Sequence, residues 1–245
     1  VIAAITAGGR VEGRLAEAIG TEVKALAPFD GGLLVDASIA AARAAGAKRI
    51  AVIGGSAVRA HCEPLVDAVI DESPDGRENL RRAIALGEGE ALLLLTSDLP
   101  FVRGDATSAF LDRARGADLA LPLASEDDYV AAYPGAPPHI TRVGKDRVAN
   151  GSVVYFGPGV APRVLDVAQR LFAARKSLLG MARLLGPALL ARFIVNRLEI
   201  EHIEARAAEL FGISARAVFG ASPTLCYDVD TYEDYRYALD RLADR

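Results

Sequence analysis

The residues best placed to do chemistry begin near the amino terminus. Ala7-Gly8-Gly9-Arg10 leads to Gly13-Arg14, and Lys24 lies ten residues beyond Arg14. Glycines let a loop bring its backbone N–H groups close to an anion. Arg10, Arg14 and Lys24 can carry positive charge to the same place, and this combination suits a triphosphate. The plainer use of a glycine pair is a tight strand-to-helix turn with solvated basic side chains around it.

Acidic residues supply the complement. Asp98 follows the apolar run Ala91–Leu95 and Thr96-Ser97, and Pro100 turns the chain away behind it. A carboxylate at the end of a buried strand is poorly solvated and needs a partner, for which a divalent cation is suited. Its other uses are to cap the next helix or to pair with an arginine. Far downstream, Tyr227-Asp228-Val229-Asp230-Thr231 places two aspartates two residues apart. On a strand both would point to one face and repel unless a cation lay between them. The following Tyr232-Glu233-Asp234 reads as a helix start with Asp230 or Thr231 as its cap, so one of the two may serve only there.

Magnesium binds oxygen, keeps several waters and usually takes one or two protein carboxylates together with substrate phosphates. Asp98 with Asp230 or Asp228 would satisfy it, and the cationic loop would complete a site for phosphoryl or nucleotidyl chemistry.

The bulk composition agrees with a small-molecule ligand. The chain has 245 residues, half of them apolar, few aromatics, no tryptophan and a net charge of −4. That is not the basic footprint of a nucleic-acid binder. Cys62 and Cys226 are far apart, and His61, His139 and His202 are scattered, so neither a disulfide framework nor a metal-ligand spacing is evident. No apolar stretch reaches the length of a membrane span, and Val1 lacks the charged start of a signal peptide. The expectation is a cytoplasmic protein.

The elements that must position these residues alternate. Strands are expected at Val1–Thr6, Arg49–Ile53, Ala68–Ile70, Ala91–Leu95 and Asp118–Pro122. Helices are expected at Leu33–Ala45, Ser56–Leu65, Glu78–Leu86 and Thr107–Arg115. This rhythm predicts βαβ units in a largely parallel sheet, whose ligands sit at the carboxyl ends of the strands. Both the Gly8-Gly9 loop and the Thr96–Pro100 loop lie at such ends and could face one crevice. Residues 125–152 read as loop-rich, followed by a strand at Ser152–Phe156. Arg163 to Arg206 reads as three or four short helices broken at Gly180, Gly186-Pro187 and near Leu198. Within it, the apolar Leu184–Phe193 segment is expected to be buried against the main body or a partner chain, so a homodimer stays open. A helix at His202–Leu210, a strand pair at Ala215–Phe219 and Leu225–Val229, and a final helix at Glu233–Leu242 complete the reading. One domain over 1–245, with a helical insertion at about 160–212, is the simplest account.

These motifs resemble those of the MobA-like NTP transferases, nucleotidyltransferases with a GT-A type sheet. Ala7-Gly8-Gly9-Arg10 through Gly13-Arg14 to Lys24 resembles the family's glycine-rich signature and downstream lysine. Thr96-Ser97-Asp98-Leu99-Pro100 resembles its strand-end metal motif, and Asp228-Val229-Asp230-Thr231-Tyr232-Glu233-Asp234 its carboxyl-terminal tail. The resemblance implies a three-layer αβα sandwich, Rossmann-like, with a mostly parallel mixed sheet. It implies that Ala7, Gly8, Gly9 and Arg10, with the loop amides up to Arg14, hold the β- and γ-phosphates, with Thr96 at the nucleotide. Arg14 and Lys24 would stabilise the transferring phosphate, and Asp98 would hold Mg2+ at the α-phosphate. Asp230 would be the second metal carboxylate, with Asp228 as the other candidate. Gly76 and Asn79 fall where the family reads the base, and Asn150 and Gly151 where related enzymes contact the acceptor. The partners implied are a nucleoside triphosphate, GTP or CTP, and a small phosphorylated acceptor. The match departs from the pattern in the phosphate loop, where four residues separate Gly9 from Arg14, and Leu15 and Ala16 replace the usual methionine and glycine.

Other readings stay open on the residues alone. A glycosyltransferase of the same sheet type would be expected to carry Asp-x-Asp where Thr96-Ser97-Asp98 stands. A catalytically inactive nucleotide-binding protein would tolerate the altered loop. A dinucleotide fingerprint is absent, because Gly8-Gly9 lacks its spacing.

Overall fold

The computed structural model describes residues 1–87, 89–160, 164–165, 186–195, 197 and 199–243. Its framework starts at strand β1 (Ile2–Thr6), which pairs in parallel with β4 (Arg49–Gly54) on one side and β6 (Leu92–Thr96) on the other. Strand β5 (Ala68–Asp71) extends the parallel part beyond β4. The apolar runs of β1 and β6 follow from burial on both faces. Ala3, Ile5, Leu93 and Leu95 enter one core, and Ile2, Ala4, Leu92 and Leu94 enter a second on the opposite face.

Helices α1 (Gly13–Ile19), α2 (Leu34–Ala44), α3 (Ser56–Cys62), α4 (Gly76–Ala85) and α5 (Gly104–Ala114) connect these strands, with a small β2–β3 hairpin (Pro28–Phe29, Gly32–Leu33) before α2. The chain runs outward through β4 and β5 and then returns to place β6 on the far side of β1. The reversal opens a crevice between β1 and β6 at their carboxyl ends. Thr6 stands opposite Thr96 in register, so the Gly8-Gly9 and Ser97-Asp98 loops leave the sheet side by side.

The other half of the sheet is mixed. Strand β10 (Val153–Phe156) runs antiparallel to β6 and to β7 (Leu119–Ser125), and β11 (Ala215–Phe219) is parallel to β7. With β8 (Ile140–Val143) and β9 (Asp146–Asn150), nine strands among the described residues make one sheet in the order β5-β4-β1-β6-β10-β7-β9-β8, with β11 on β7.

Three expectations are corrected here. Residues 125–152 are not mainly loop: they form α6 (Glu126–Ala132) and the hairpin β8 (Ile140–Val143) and β9 (Asp146–Asn150). Ser125 caps α6 by accepting from the Asp128 N–H at 3.0 Å. The hairpin strands read as polar because they lie at a half-exposed sheet edge, with Arg142 and Arg147 in solvent.

The expected strand pair near the carboxyl terminus does not form. β11 pairs with β7, whereas Pro223–Leu225 is a short 3-10 turn and residues 227–230 belong to no strand. Tyr227 and Val229 are fully buried, which produced the strand-like apolar pattern. The Val229 N–H ties this stretch to the strand-end loop by donating to the Asp98 carbonyl at 3.0 Å.

In the helical region, α7 (Pro187–Ile194) and α8 (Ile200–Phe211) are present, and Gly212 ends α8 in the left-handed conformation at φ 58°. Val164 and Leu165 are helical; the rest of the helices expected between 163 and 185, with the breaks at Gly180 and near Leu198, lie outside the described residues. Burial of the Leu184–Phe193 segment against the main body is not seen at Ala188 and Ala191, which are exposed in the single chain, and burial against a partner chain is the alternative that stays. The next residues, Ile194 and Val195, are exposed as well. A short helix that is apolar nearly all round cannot bury every face against one layer. The chain closes with α9 (Tyr232–Ala243). Among the described residues, no helix is long and apolar enough to cross a membrane.

Candidate active site

The crevice between β1 and β6 holds a cavity of about 390 Å³. Its polar lining comprises Thr6, Gly8, Gly9, Lys24, Gly76, Asn79, Thr96, Ser97 and Asp98, and its apolar lining Ile53, Leu80 and Leu94. Eight of these positions come from three separate stretches of chain. Gly8 and Gly9 follow β1, Lys24 begins a 3-10 turn held by its N–H donating to the Gly9 carbonyl at 3.0 Å, and Asp98 follows β6.

Lys24 is the hub. Its Nζ lies 2.5 Å from Asp98 Oδ2 and 2.9 Å from Asp230 Oδ1. Burial opposes the Lys24 charge, but the two carboxylates outweigh it and hold the ammonium well above its usual range. Asp98 is buried, and its second oxygen, Oδ1, has no hydrogen-bond partner among the described residues; nor does the buried Oγ1 of Thr96 beside it. A buried carboxylate oxygen left in this state is costly unless something else meets it.

The carboxylates do not form a closed metal cage: among the described residues, no three His, Cys, Asp or Glu side chains gather as one. A lysine stands between Asp98 and Asp230 instead. The donor chemistry nonetheless fits magnesium, which needs few protein oxygens when phosphates supply the rest. The free Oδ1 of Asp98 is the atom that supports this fit.

Asp228 stands at the side of the cluster. Its Oδ2 accepts from Ser152 Oγ at 2.9 Å, and its Oδ1 is 3.4 Å from His139 Nδ1. Burial, followed by repulsion from Asp98 and Asp230, pushes its carboxyl above the ordinary range. Thr231 caps α9 and Asp234 completes a reciprocal box: Asp234 Oδ2 accepts from the Thr231 N–H at 2.7 Å and the Asp230 N–H at 3.1 Å, and the Asp234 N–H donates to Thr231 Oγ1 at 3.2 Å. Asp234 is buried, which works against its ionisation, yet hydrogen bonds from His139 and Thr231 hold its carboxyl below the usual value.

The other expected site residues fall as follows. Ala7 is fully buried and its N–H donates to the Ile53 carbonyl at 2.8 Å. A Cβ at Gly8 would run into the tip of the Glu72 side chain, which would have to swing aside and which pairs with Arg10. Arg10 therefore reaches toward Glu72 and lies outside the Lys24 cavity. Arg14 is exposed, stacks 3.9 Å above the Tyr232 ring and pairs with Glu233 at 3.2 Å. Arg10, Arg14, Tyr232 and Asp230 line a second, open depression of about 500 Å³ that shares Asp230 with Lys24.

Asn79 lines the main cavity, but its amide is committed. Its Oδ1 accepts from the Ser73 N–H at 2.6 Å and its Nδ2 donates to the Ser73 carbonyl at 2.8 Å, which fixes the loop before α4. Asn150 is exposed, with Nδ2 3.4 Å from Thr141 Oγ1, and Gly151 lies against Pro122 and the Leu225 carbonyl. Sequence reasoning missed His139, Ser152, Glu72 and the anchoring role of Asp234. The Thr231–Asp234 spacing was a legible capping signal; His139 offered none, because its partners come from distant positions in the chain.

The α/β fold gathers a glycine loop, Lys24 and the strand-end Asp98 in one crevice, with Asp230 on the other side of the lysine, an arrangement that suits nucleotidyl chemistry. The MobA-like NTP transferase domain matches residues 3–197, and the chain belongs to this family. It is thus a nucleotidyltransferase-family enzyme. No curated protein matches it by sequence. Among solved structures, a hypothetical transferase from Thermus thermophilus is similar, with 29% identity and a TM-score of 0.83 over 95% of this chain and 98% of that one. A nucleotidyl transferase from Methanothermobacter thermautotroptrophicus shares the fold at 16% identity and TM-score 0.57, over 99% of this chain and 97% of its own. CMP:2-keto-3-deoxy-manno-octonic acid synthetase, complexed with CTP, shares it at 15% identity and TM-score 0.60, over 99% and 98%.

Proposed function

We propose that the protein transfers a nucleoside monophosphate from a nucleoside triphosphate to a small phosphorylated acceptor, releasing pyrophosphate. The observation that carries this reading is Lys24 held between Asp98 and Asp230 at the mouth of the glycine-loop cavity. An acceptor phosphate is already an anion at neutral pH. One of its oxygens attacks the α-phosphorus, a new P–O bond forms, and the bond to the β-phosphate breaks with pyrophosphate as the leaving group. No side-chain nucleophile is needed, and what the chain must supply is position and positive charge.

In this reading the triphosphate lies along the Gly8-Gly9 loop. Neither glycine N–H donates to an acceptor among the described residues, which leaves both free for phosphate oxygens. Lys24 moves from its carboxylates onto the α-phosphate as charge builds there. Magnesium would be held by Asp98 Oδ1 with Asp230, or Asp228 as the alternative carboxylate, and would neutralise phosphate charge. Another member of the fold, a Mycobacterium tuberculosis protein 19% identical, has been solved in complex with manganese. The base, GTP or CTP, would rest on Ile53, Leu80 and Leu94 against the loop that Asn79 holds. Arg14 would meet the outer phosphates from the adjoining depression, after leaving Glu233. The 225–228 and 150–152 segments would face the acceptor.

The test is direct. The protein is mixed with each of the common triphosphates, Mg2+ and a panel of phosphorylated acceptors, and pyrophosphate is measured. Acceptor-dependent release with GTP or CTP supports the reading. Hydrolysis of a nucleotide sugar without pyrophosphate overturns it in favour of glycosyl transfer, and tight binding without turnover overturns it in favour of an inactive nucleotide binder.

A further inference from the structure

His139 arrives from a different part of the sheet, immediately before β8, and touches neither the glycine loop nor Lys24. Its imidazole is one-fifth exposed. Each ring nitrogen faces a carboxylate: Nε2 is 2.9 Å from Asp234 Oδ1, and Nδ1 is 3.4 Å from Asp228 Oδ1. The ring packs beside Tyr227 with centroids 5.6 Å apart, which limits its freedom to turn.

The consequence runs through Asp234. Its other oxygen holds the N–H groups of Asp230 and Thr231, so the carboxylate that grips His139 also sets the backbone from which Asp230 projects. The Asp230 side chain itself is 62% exposed. An ion pair with that much water around it is worth little and cannot fix its own geometry. What holds Asp230 opposite Lys24 is its backbone, and that backbone is fastened to Asp234, which is fastened to His139.

We infer that His139 is a positioning residue for nucleotidyl transfer: by bridging Asp234 and Asp228 it holds the 228–234 turn in the register that brings Asp230 to Lys24. The inference rests on the transfer reading above for its effect on rate, but not for its effect on the turn. His139 lines neither the glycine-loop cavity nor the adjoining depression, so its loss acts on the step that needs Lys24 in place.

The experiment uses the full chain with His139→Gln and His139→Ala. The first keeps one hydrogen-bonding end and serves if the alanine variant does not fold. Two quantities are read: steady-state kcat and KM for the triphosphate, and the rate at which an amine-acylating reagent labels Lys24 in nucleotide-free protein, followed by peptide mass spectrometry. The expected result is a kcat about tenfold to a hundredfold lower, a triphosphate KM little changed, and faster Lys24 labelling, with the glutamine variant nearer to wild type. Folded variants with wild-type kcat and wild-type labelling overturn the inference, as does a loss confined to KM. A wild-type chain that transfers nothing overturns the transfer reading instead, and the labelling contrast then still decides whether His139 holds the turn.

Discussion

Lys24 donates to Asp98 across 2.5 Å with both side chains largely shielded from water, at 14% and 10% exposure. Lys24 begins the 3-10 turn after α1 and its N–H holds the Gly9 carbonyl, so through that turn the pair ties the glycine loop to the loop after β6. Removing Lys24 leaves the Asp98 carboxylate with little solvent to receive it, whereas removing the Asp98 charge leaves Lys24 its second partner, Asp230.

For Lys24→Met, the expected outcome is a loss of about 3–5 kcal/mol in stability, the usual cost of orphaning a buried charge. Transfer should fall by about a hundredfold to a thousandfold, as when a donor to a developing oxyanion is removed. Added Mg2+ should raise the melting temperature of this variant more than that of wild type, because the ion replaces the missing ammonium beside Asp98. Thermal unfolding with and without Mg2+ checks this. An equal response in the two proteins would separate Asp98 from the metal.

Asp98→Asn keeps the shape of the side chain and leaves Lys24 its second partner, Asp230, at 2.9 Å. The fold should therefore persist, with a stability change of about 1–2 kcal/mol, while turnover is abolished. Circular dichroism and the pyrophosphate assay together decide the matter. Wild-type turnover would remove Asp98 from the chemistry.

Asn79→Ala tests the side of the cavity where the proposed function puts the base. Because the amide is spent on the Ser73 backbone, its removal should loosen the loop before α4 rather than delete a contact with the base. The triphosphate KM should rise for every base alike, by about tenfold, from the loss of two hydrogen bonds, with kcat nearly constant. A change in base preference would instead mean that Asn79 touches the base itself.

Much of this arrangement was legible in the sequence, for definite physical reasons. β1 and β6 are apolar on both faces, so their runs are continuous and their ends sharp, and the residues that follow, Gly8-Gly9 and Asp98, could be placed at one rim of the sheet. The edge hairpin β8–β9 was not legible, because an edge strand with Arg142 and Arg147 in solvent carries little hydrophobic pattern. The stretch 225–229 misled in the opposite way. Tyr227 and Val229 are buried by packing, without a ladder, and burial alone imitates a strand. His139 was invisible because its importance lies in what the fold brings to its two nitrogens.

Cys62 gives a test of burial with a pH signature. Burial, reinforced by the charge of Asp36, pushes its thiol up to about 11. A raised value depletes the thiolate, the reactive form, at neutral and mildly alkaline pH. Alkylation by iodoacetamide in the native protein should therefore be slow at pH 8 and accelerate only as pH climbs toward that value. Cys226, also buried and pushed up to about 12, should lag with it. In urea both should react at the rate of a free thiol. Rapid native labelling of Cys62 at pH 8 would contradict the packing around α3.

Gly151 tests the side where the proposed function puts the acceptor. A Cβ there would meet the Pro122 ring and come within 3.0 Å of the Leu225 carbonyl, which accepts the Ser152 N–H at 3.0 Å. Gly151→Ala must therefore push the 225–228 segment outward, and with it Asp228, which is tied to Ser152 Oγ. The expected cost is about 1–3 kcal/mol from overpacking, together with a rise in acceptor KM and a fall in kcat. Gly46→Ala provides the contrast: it strains a left-handed residue at φ 81° but meets no neighbour, so it should lower stability by about 1 kcal/mol and leave transfer unchanged. If Gly151→Ala loses stability and keeps full activity like Gly46→Ala, the acceptor does not depend on how the 225–228 segment sits against β10.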